Sequence, residues 1–202
     1  YRQIVPLENI FVTTHRDYEN KVLEQLPELD ASRLIVEDER RNTAPSIAFA
    51  AHVIEKVNPQ ATMVVAPSDH LILKQDLFRE AILKGLDFAS GHDALLTLGI
   101  QPSRPETGYG YIQIDEEETE GIYKVRTFIE KPAKEFAEIF IQSQEFFWNS
   151  GIFIWNVKAI HQAFRSYMTE ICPYIDSDVP DFTSCPNISI DYSIMEKADN
   201  VY

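Results

Sequence analysis

The sequence predicts an α/β fold in which a sheet is flanked by helices. Over about the first hundred residues, apolar runs of strand length alternate with stretches whose apolar residues recur at helical spacing. This alternation is typical of strands joined by crossover helices. After Pro105 the pattern changes to strands in which polar and apolar residues alternate. We therefore expect the sheet to be mixed, with parallel strands in the first half.

Short segments define the elements of the first half. Residues 9–14 and 33–37 predict two buried strands, with an amphipathic helix at 17–26 between them. Residues 75–89 predict another amphipathic helix, and a continuous apolar strand follows at 94–100. Strand, helix and strand in this order indicate the beginning of a βαβ arrangement.

The stretch 61–72 (ATMVVAPSDHLI) is the segment around which the other elements are expected to lie. Its run 63–66 (MVVA) contains no polar residue, so both faces of this strand should be covered, as in a parallel sheet with helices on each side. Ligands of open α/β sheets bind beyond the carboxyl ends of the strands, where Ser68, Asp69 and His70 follow. Asp69 is thus placed to meet a metal or a phosphate. The alternative is that Ser68 or Asp69 only caps the next helical turn.

A second helix is expected to begin near Asn42 or Thr43. Either side chain can cap a helix, and Pro45 suits the first turn because it lacks an N–H that would have no partner there. The N-terminus of this helix would present free backbone N–H groups to the same crevice as Asp69. A cap without any ligand is the simpler interpretation.

The second half predicts a hairpin followed by further helices and one strand. Residues 109–115 and 122–131 alternate and indicate a half-exposed hairpin, while 151–155 indicates a strand. Helices are predicted at 134–142, 157–168 and 191–198. We expect a single domain, with a nucleotide half at about 1–103 and an acceptor half at about 104–202.

Composition limits the class of protein. The formal net charge of −14, from 32 acidic and 18 basic residues, argues against binding to a nucleic acid polymer or an anionic membrane. Cys172 and Cys185 each precede a proline and do not share a metal-ligand spacing, which favours a reducing compartment. No signal peptide opens the chain, and no apolar run approaches the ~20 residues of a membrane helix. These features predict a cytoplasmic protein.

A carboxylate and a cation stand together where the strand 122–131 ends. Pro132 is expected to keep Lys131 in an extended backbone and so to fix the direction of its ammonium. Glu130 could accept hydrogen bonds from sugar hydroxyls while Lys131 holds a phosphate. The alternative is a surface ion pair, which contributes ~0–1 kcal/mol.

Two other segments carry candidate ligand-binding residues. Gly108 and Gly110 flank Tyr109, and glycine lets the backbone come close to a ligand, although a turn also explains glycine. Asn149 offers a side-chain amide at the entrance to the strand 151–155. An asparagine that only forms a turn is the alternative there.

Several motifs together resemble a known family, the GDP-mannose pyrophosphorylases or mannose-1-phosphate guanylyltransferases, within the sugar-nucleotide pyrophosphorylases. Each motif alone is weak, but they follow one another in the order of the family and extend over most of the chain. They are 41–45 (RNTAP), 66–70 (APSDH), 105–112 (PETGYGYI), 128–132 (FIEKP), 148–153 (WNSGIF) and 189–197 (SIDYSIMEK).

The resemblance implies a Rossmann-like nucleotide-diphospho-sugar transferase fold, with a mixed central sheet flanked by helices. It also implies roles for individual residues. Asp69 would bind a catalytic Mg²⁺ and Lys131 the phosphate of mannose 1-phosphate, and these are the residues expected to act in catalysis. Guanine would be bound by the loop that contains Glu37, Arg41, Asn42 and Thr43. Mannose would be bound by Gly108, Tyr109, Glu130, Asn149 and Asp191.

The reaction implied by the resemblance converts GTP and mannose 1-phosphate into GDP-mannose and pyrophosphate. A phosphate oxygen of mannose 1-phosphate would attack the α-phosphorus of GTP in line, without a protein nucleophile. The sequence contains no G-x-S-x-G, no Walker loop and no His/Cys metal spacing, which agrees with this chemistry. The sequence is compatible with a homo-oligomer.

The chain departs from the family at several places. Asp38 and Arg40 stand where the family's loop has Pro and Gly. By the resemblance, the family's Gly-rich phosphate loop would lie upstream of residue 1, and a second metal-binding aspartate would follow Tyr202. The span 171–187 is also shorter than the corresponding span of the family. We therefore expect residues 1–202 alone not to catalyse the reaction.

Two other functions are compatible with parts of the sequence. A catalytically silent, pyrophosphorylase-like regulatory subunit that binds sugar nucleotide would share the fold and most motifs. A transferase that uses GDP-mannose as donor would carry an Asp-x-Asp metal motif after a central strand. Asp176-Ser177-Asp178 matches this pattern, but the surrounding sequence predicts no strand.

Overall fold

A computed structural model describes residues 1–171 and 182–202 of the protein. The strands are β1 (Val12–His15), β2 (Leu34–Glu37), β3 (Thr62–Val65), β4 (Leu96–Ile100), β5 (Tyr111–Thr119), β6 (Ile122–Ile129) and β7 (Phe146–Asn156). The α-helices are α1 (Glu19–Gln25), α2 (Thr43–Val57), α3 (Gln75–Gly91), α4 (Lys134–Ser143) and α5 (Val157–Tyr167). A π-helix spans Asp191–Met195. The mixed α/β class predicted from the sequence is confirmed.

The long strand β7 organises the larger sheet. It pairs antiparallel with β3, β4 and β5, and β6 continues the sheet from β5. Ile154 is paired with both β3 and β4, and Trp148 with both β4 and β5. Because a residue of a strand has one partner on each side, β4 occupies one edge of β7 while β3 and β5 share the other.

The two strands β1 and β2 form a separate parallel pair. The expectation that the run 63–66 lies in a parallel sheet is wrong, because β3 pairs antiparallel with β7. The apolar run reflects packing on both faces of the strand, since Val65 lies against one apolar cluster and Val64 against the other. Packing on both faces does not distinguish a parallel from an antiparallel neighbour. All strand pairings in the larger sheet are antiparallel, because β7, which comes from much later in the chain, lies between β3 and β4.

Successive residues of β7 face opposite layers of helices. Phe153 and Trp155 pack with α2 and α5, whereas Ile152 and Ile154 pack with α3. This follows from the two-residue period of a strand, which sends neighbouring side chains to opposite faces. Ile154 and Trp155 are completely buried. The helices on both faces hold β7 in the middle of the domain and fix the position of every residue that it carries.

Several boundaries differ from those predicted. The strand predicted at 151–155 begins five residues earlier, so Asn149 lies inside β7 rather than at its entrance. Tyr109 precedes β5 instead of beginning it. The last predicted helix, 191–198, is the shorter π-helix. For β7 and β5, pairing with other strands sets the boundary.

A gap between β3 and β5 opens on the shared edge of β7. β3 pairs with β7 as far as Phe153, and β5 begins pairing at Trp148. Pro67 follows β3 and stands against Gly151, where a Cβ on the glycine would be 3.7 Å from Cγ of the proline. On the other side of the gap the Asn149 N–H donates to the Gly110 carbonyl at 2.8 Å. The loops before β5 and after β3 therefore meet beside Asn149.

Some expectations concern residues or properties outside this description. Cys172 and the Asp176-Ser177-Asp178 motif lie outside residues 1–171 and 182–202. Within those residues, none of the helices is both long and apolar enough to cross a membrane.

Candidate functional site

The side chain of Asn149 joins several segments at the gap. Its Oδ1 accepts hydrogen bonds from the Thr97 hydroxyl at 2.9 Å and from the Gly151 N–H at 3.0 Å. Its Nδ2 donates to Oδ1 of Asp191 at 2.9 Å. The backbone N–H of Gly151 can only donate, so the orientation of the amide is determined. We call Thr97, Gly110, Glu130, Asn149 and Asp191 the Asn149 cluster.

Gly110 makes room in the cluster for a carboxylate. A Cβ at this position would lie 2.5 Å from Oε2 of Glu130 and 3.3 Å from Cβ of Asn149. The first of these distances is shorter than any ordinary contact, so only glycine leaves Glu130 where it stands. The sequence suggested that a glycine here lets the backbone approach a ligand. The structure shows that it admits Glu130.

Glu130 and Lys131 form an ion pair with unequal exposure. Oε1 of Glu130 lies 2.8 Å from Nζ of Lys131, and the side chains are 7% and 57% exposed respectively. The hydrogen bond and the charge of Glu130 raise the pKa of Lys131. The pair therefore offers a buried carboxylate and a charged ammonium that reaches into solvent. An exposed cation of this kind is available to a phosphate.

The backbone of Lys131 is not extended, as Pro132 had suggested it would be. Its φ is +46°, in the left-handed region that residues other than glycine rarely adopt. The restriction imposed by a following proline is a statistical preference, and here the tertiary structure overrides it. A conformation of this sort costs of order 1–3 kcal/mol and persists only where the surroundings hold it.

Asp191 is the most perturbed carboxyl of the cluster. Burial, and next the negative charge of Glu130, raise its pKa to about 6 from the ordinary value of 3.8. The amide of Asn149 and the charge of Lys131 act in the opposite direction. Two carboxylates, an amide and an ammonium are thus concentrated at one end of the gap. This donor and acceptor set suits a ligand with several hydroxyls and one phosphate.

The loop before β5 is ordered by Glu106, which the sequence analysis did not select. Its Oε1 accepts hydrogen bonds from the N–H groups of Thr107 at 3.1 Å and Gly108 at 3.2 Å. The hydrogen bond from Gly108, followed by that from Arg104, lowers the pKa of Glu106. Tyr109, 43% exposed, sets its ring edge-on against Trp148 at 5.2 Å between centroids. A carboxylate two residues before Gly108 is the feature of the sequence that could have indicated that Glu106 accepts the N–H groups of this loop.

A second group of polar residues lies where the parallel strands β1 and β2 end. Glu37 accepts a hydrogen bond from Ser46 of α2, and burial raises the pKa of its carboxyl. Its Oε1 is buried and, among the described residues, receives no hydrogen bond. In the next residue, Asp38 forms an ion pair with Arg16. Glu37 therefore provides a buried acceptor with unused capacity.

The start of α2 does not present the free N–H groups that were predicted. Asn42 caps the helix by accepting from the Thr43 N–H at 2.9 Å, with its own φ at +67°. The N–H of Ala44 donates to the carbonyl of Ile188 at 3.2 Å. Pro45 has no N–H to offer. The segment that satisfies Ala44 is about 140 residues away in sequence, so local reasoning could not find it.

Arg41 and Thr43 bind the same distant segment. Nε of Arg41 donates to the carbonyl of Phe182 at 2.7 Å, and Nη2 donates to that of Thr183. The hydroxyl of Thr43 accepts the N–H of Ile190 at 2.9 Å. Because Ile190 immediately precedes Asp191, these bonds connect the loop after β2 with the Asn149 cluster.

Asp69 stands apart from these networks. It lies in an exposed turn after β3. The next helix, α3, begins later and has Lys74 rather than Ser68 or Asp69 at its N-cap, so the capping alternative is wrong. Across residues 1–171 and 182–202, no three His, Cys, Asp or Glu side chains are grouped so as to hold a metal ion. Asp69 is therefore available as a single oxygen ligand.

Comparison with known proteins identifies the family of the chain. Residues 5–184 match the nucleotidyl transferase family. The chain belongs to that family. A crystal structure described as mannose-1-phosphate geranyltransferase from Thermus thermophilus superposes with a TM-score of 0.87 at 30% identity, over 99% of this chain and 59% of that one. The fold of this nucleotidyl transferase domain is thus shared with a solved structure.

Curated relatives carry a consistent name. A putative mannose-1-phosphate guanylyltransferase of Vibrio cholerae is 34% identical over 209 residues, which cover 96% of this chain and 45% of the relative. A mannose-1-phosphate guanylyltransferase of Escherichia coli is 36% identical over 203 residues, which cover 91% of this chain and 43% of the relative. This nucleotidyl transferase chain therefore spans less than half the length of the curated relatives that it matches.

The raised pKa of Asp191 predicts how stability depends on pH. Well below pH 3.8 the carboxyl is protonated in both states, and between about pH 3.8 and pH 6 the unfolded chain loses the proton while the folded chain keeps it, so stability falls as pH rises. Asp191→Asn keeps the acceptor for Asn149 but carries no charge. We expect it to raise the free energy of unfolding by only about 0.5 kcal/mol at pH 4 and by up to roughly 3 kcal/mol at pH 7.5. Urea denaturation at the two pH values measures the difference.

The exposed Glu138 of α4 supplies the control for this prediction. Glu138→Gln should change stability little at either pH, because an exposed carboxyl meets a similar environment in both states. A gain from Asp191→Asn that is the same at pH 4 and pH 7.5 would show that ionisation of Asp191 is not its cause.

Proposed function

We propose that the protein of which this chain is a part makes GDP-mannose and pyrophosphate from GTP and mannose 1-phosphate. The observation that carries the proposal is the Asn149 cluster with the adjoining Lys131. It places two carboxylates and an amide beside an exposed ammonium, in a chain whose curated relatives are named mannose-1-phosphate guanylyltransferase. We assign guanylyl transfer to the residues as follows.

The mannose ring would be bound by the Asn149 cluster. The carboxylates of Glu130 and Asp191 can accept hydrogen bonds from sugar hydroxyls, and the amide of Asn149 holds Asp191 in place. Gly108 and Tyr109 lie in the loop that Glu106 orders beside the cluster. The tendency of Asp191 to keep its proton up to about pH 6 allows it to be a donor in mildly acidic solution and an acceptor above.

Lys131 would bind the phosphate of mannose 1-phosphate. In the absence of ligand its ammonium neutralises Glu130, and it extends into solvent from a backbone held at φ +46°. A phosphate that enters beside Glu130 gains a charge-assisted hydrogen bond from the lysine. The same charge would reduce repulsion as a phosphate oxygen approaches the α-phosphorus of GTP.

Guanine would be read at the end of β2 by Glu37. Guanine presents an amino group and a ring N–H as donors, and the carboxylate of Glu37 has a buried oxygen without a hydrogen bond among the described residues. Adenine offers an acceptor where guanine has its ring N–H, so it could not satisfy that oxygen in the same way. Arg41, Asn42 and Thr43 shape the adjoining loop, and Arg41 does so through the carbonyls of 182–183.

A divalent cation fits the chemistry of Asp69. Mg²⁺ is commonly held by one or two carboxylates and takes its remaining ligands from water and phosphate oxygens, so a single exposed aspartate beyond a strand end is a suitable donor. The bound ion would supply charge neutralisation at the phosphates. The residues of this chain would contribute binding and orientation, since in-line transfer between phosphates needs no protein nucleophile.

These assignments divide the chain as the sequence suggested. Glu37 and Asp69 belong to the nucleotide half, about 1–103, and the residues for mannose 1-phosphate belong to the sugar-phosphate half, about 104–202. The bond between Thr43 and Ile190 links the two. Residues on both sides of that bond would contact substrates whose reacting groups must meet.

The proposal is tested by assaying the intact natural protein with GTP, mannose 1-phosphate and Mg²⁺. Formation of GDP-mannose together with an equal amount of pyrophosphate is expected, with slower turnover when ATP replaces GTP or glucose 1-phosphate replaces mannose 1-phosphate. Calorimetric titration with GDP-mannose accompanies the assay. Binding without turnover would identify the silent regulatory subunit, and neither binding nor turnover would reject both functions.

Asp69→Asn should abolish most of the turnover of the intact protein without altering its melting temperature. The substitution removes a charge from an exposed turn and leaves the packed core unchanged. Rates of GDP-mannose formation across a Mg²⁺ titration are compared with those of Asp76→Asn, a control on the first turn of α3 that is 91% exposed. Near-normal activity of Asp69→Asn would remove Asp69 from the proposed metal site.

Lys131→Ala should weaken the binding of mannose 1-phosphate much more than the binding of GTP. A charge-assisted hydrogen bond to phosphate contributes ~1.5–3 kcal/mol, which corresponds to roughly ten- to a hundred-fold in affinity. Each substrate is titrated separately, with Lys134→Ala on α4 as the matched control because its ammonium is also exposed. Equal losses for both substrates would place Lys131 on the triphosphate instead.

A further inference from the structure

The π-helix Asp191–Met195 has an unusual hydrogen bond between the backbones of two acidic residues. The N–H of Glu196 donates to the carbonyl of Asp191 at 2.9 Å, a bond between residues five apart. In an α-helix, residues five apart point about 140° away from each other around the axis. The wider turn of a π-helix brings them closer to one side, and such turns occur frequently at functional sites.

Both ends of this turn bind backbone or side chains at the Asn149 cluster. Asp191, at the start, accepts from the amide of Asn149 in β7. Glu196, at the end, accepts with Oε1 from the backbone N–H of Glu130 at 3.0 Å. A single helical turn therefore connects β7 with the end of β6. Glu196 belongs to the motif 189–197, but the residue-by-residue analysis gave it no role.

Glu196 binds the backbone next to a strained residue, Lys131. Glu130 is followed by Lys131 at φ +46° and then by Pro132, which has no N–H with which to stabilise the turn. A strained residue keeps its conformation only when neighbouring contacts over-determine it. Contacts that hold this turn include the ion pair between Glu130 and Lys131 and the hydrogen bond from the Glu130 N–H to Glu196.

We propose that Glu196 is a positioning residue for sugar-phosphate binding: its carboxylate holds the backbone of Glu130 so that the side chains of Glu130 and Lys131 face the substrate. This inference rests on the proposed function. Glu196 itself does not contact substrate. Its carboxylate fixes the backbone that carries one acceptor for the sugar and the cation for the phosphate, in the manner of the supporting contacts around other precise sites.

The proposal distinguishes a hydrogen-bond acceptor from a negative charge. Glu196→Gln keeps an oxygen that can accept the N–H of Glu130, whereas Glu196→Ala leaves that N–H without its partner. We expect Glu196→Ala to raise the KM for mannose 1-phosphate by about tenfold and to change the KM for GTP little. Glu196→Gln should stay close to the natural protein. Asp199→Ala, which removes an exposed carboxylate three residues further along, is the matched control.

The experiment uses the intact protein and two kinds of measurement. Initial rates give both KM values and kcat for each variant, and hydrogen exchange resolved to single amides gives the protection of the Glu130 N–H. Faster exchange at Glu130 in Glu196→Ala, with retained protection in Glu196→Gln and in Asp199→Ala, is expected together with the KM difference.

Other results would overturn the proposal. Unchanged exchange and unchanged KM in Glu196→Ala would show that Glu196 does not hold Glu130. An equal impairment of Glu196→Gln would show that the charge acts and the acceptor does not, and equal losses for both substrates with a lower melting temperature would show a merely structural role. If the natural protein itself makes no GDP-mannose, the proposed function has failed, and the exchange data still decide whether Glu196 holds Glu130.

Discussion

The arrangement of the site depends on one requirement: the half-buried amide of Asn149 lies within β7, and a polar side chain inside a sheet needs hydrogen-bond partners. One partner is local, the N–H of Gly151 in β7 itself, and two come from distant parts of the chain, Thr97 in β4 and Asp191 in the π-helix. An unsatisfied amide here would cost about 1–3 kcal/mol. The pairing of β7 with β3, β4 and β5 brings these groups together. The same strand that builds the core therefore also assembles the candidate site.

Charge is distributed in the site so that each carboxylate constrains the next. Glu130 is buried and neutralised by Lys131, yet its charge still raises the pKa of Asp191. A ligand that brought hydroxyls to the carboxylates and a phosphate to the lysine would relieve both effects. Two acidic groups held close together without ligand are a cost in stability, and sites for polar substrates commonly carry such a cost. The predicted pH dependence of folding and the proposed affinity for sugar phosphate would thus have a common origin.

The long-range bonds of residues 182–196 decide how the two halves of the chain are joined. Arg41, Thr43 and Ala44 contact this segment at one end, and the π-helix contacts Asn149 and Glu130 at the other. This is why the N-terminus of α2, which by itself would attract an anion, is instead satisfied by protein carbonyls. Residues 182–190, which contain little secondary structure, therefore connect the loop after β2 with the Asn149 cluster.

The sequence by itself determined the α/β class, the approximate place of each helix and strand, and the family, because apolar periodicity and short motifs are local properties. It also selected Glu130, Asn149 and Asp191, which the structure brings together. Only the tertiary structure decided that β3 pairs antiparallel with β7, that Lys131 has a positive φ, and that Glu106 and Glu196 order the neighbouring backbone. Each of these depends on partners far apart in sequence, since strand direction, strain and hydrogen-bond acceptors are set by what packs alongside, and no local pattern carries that information.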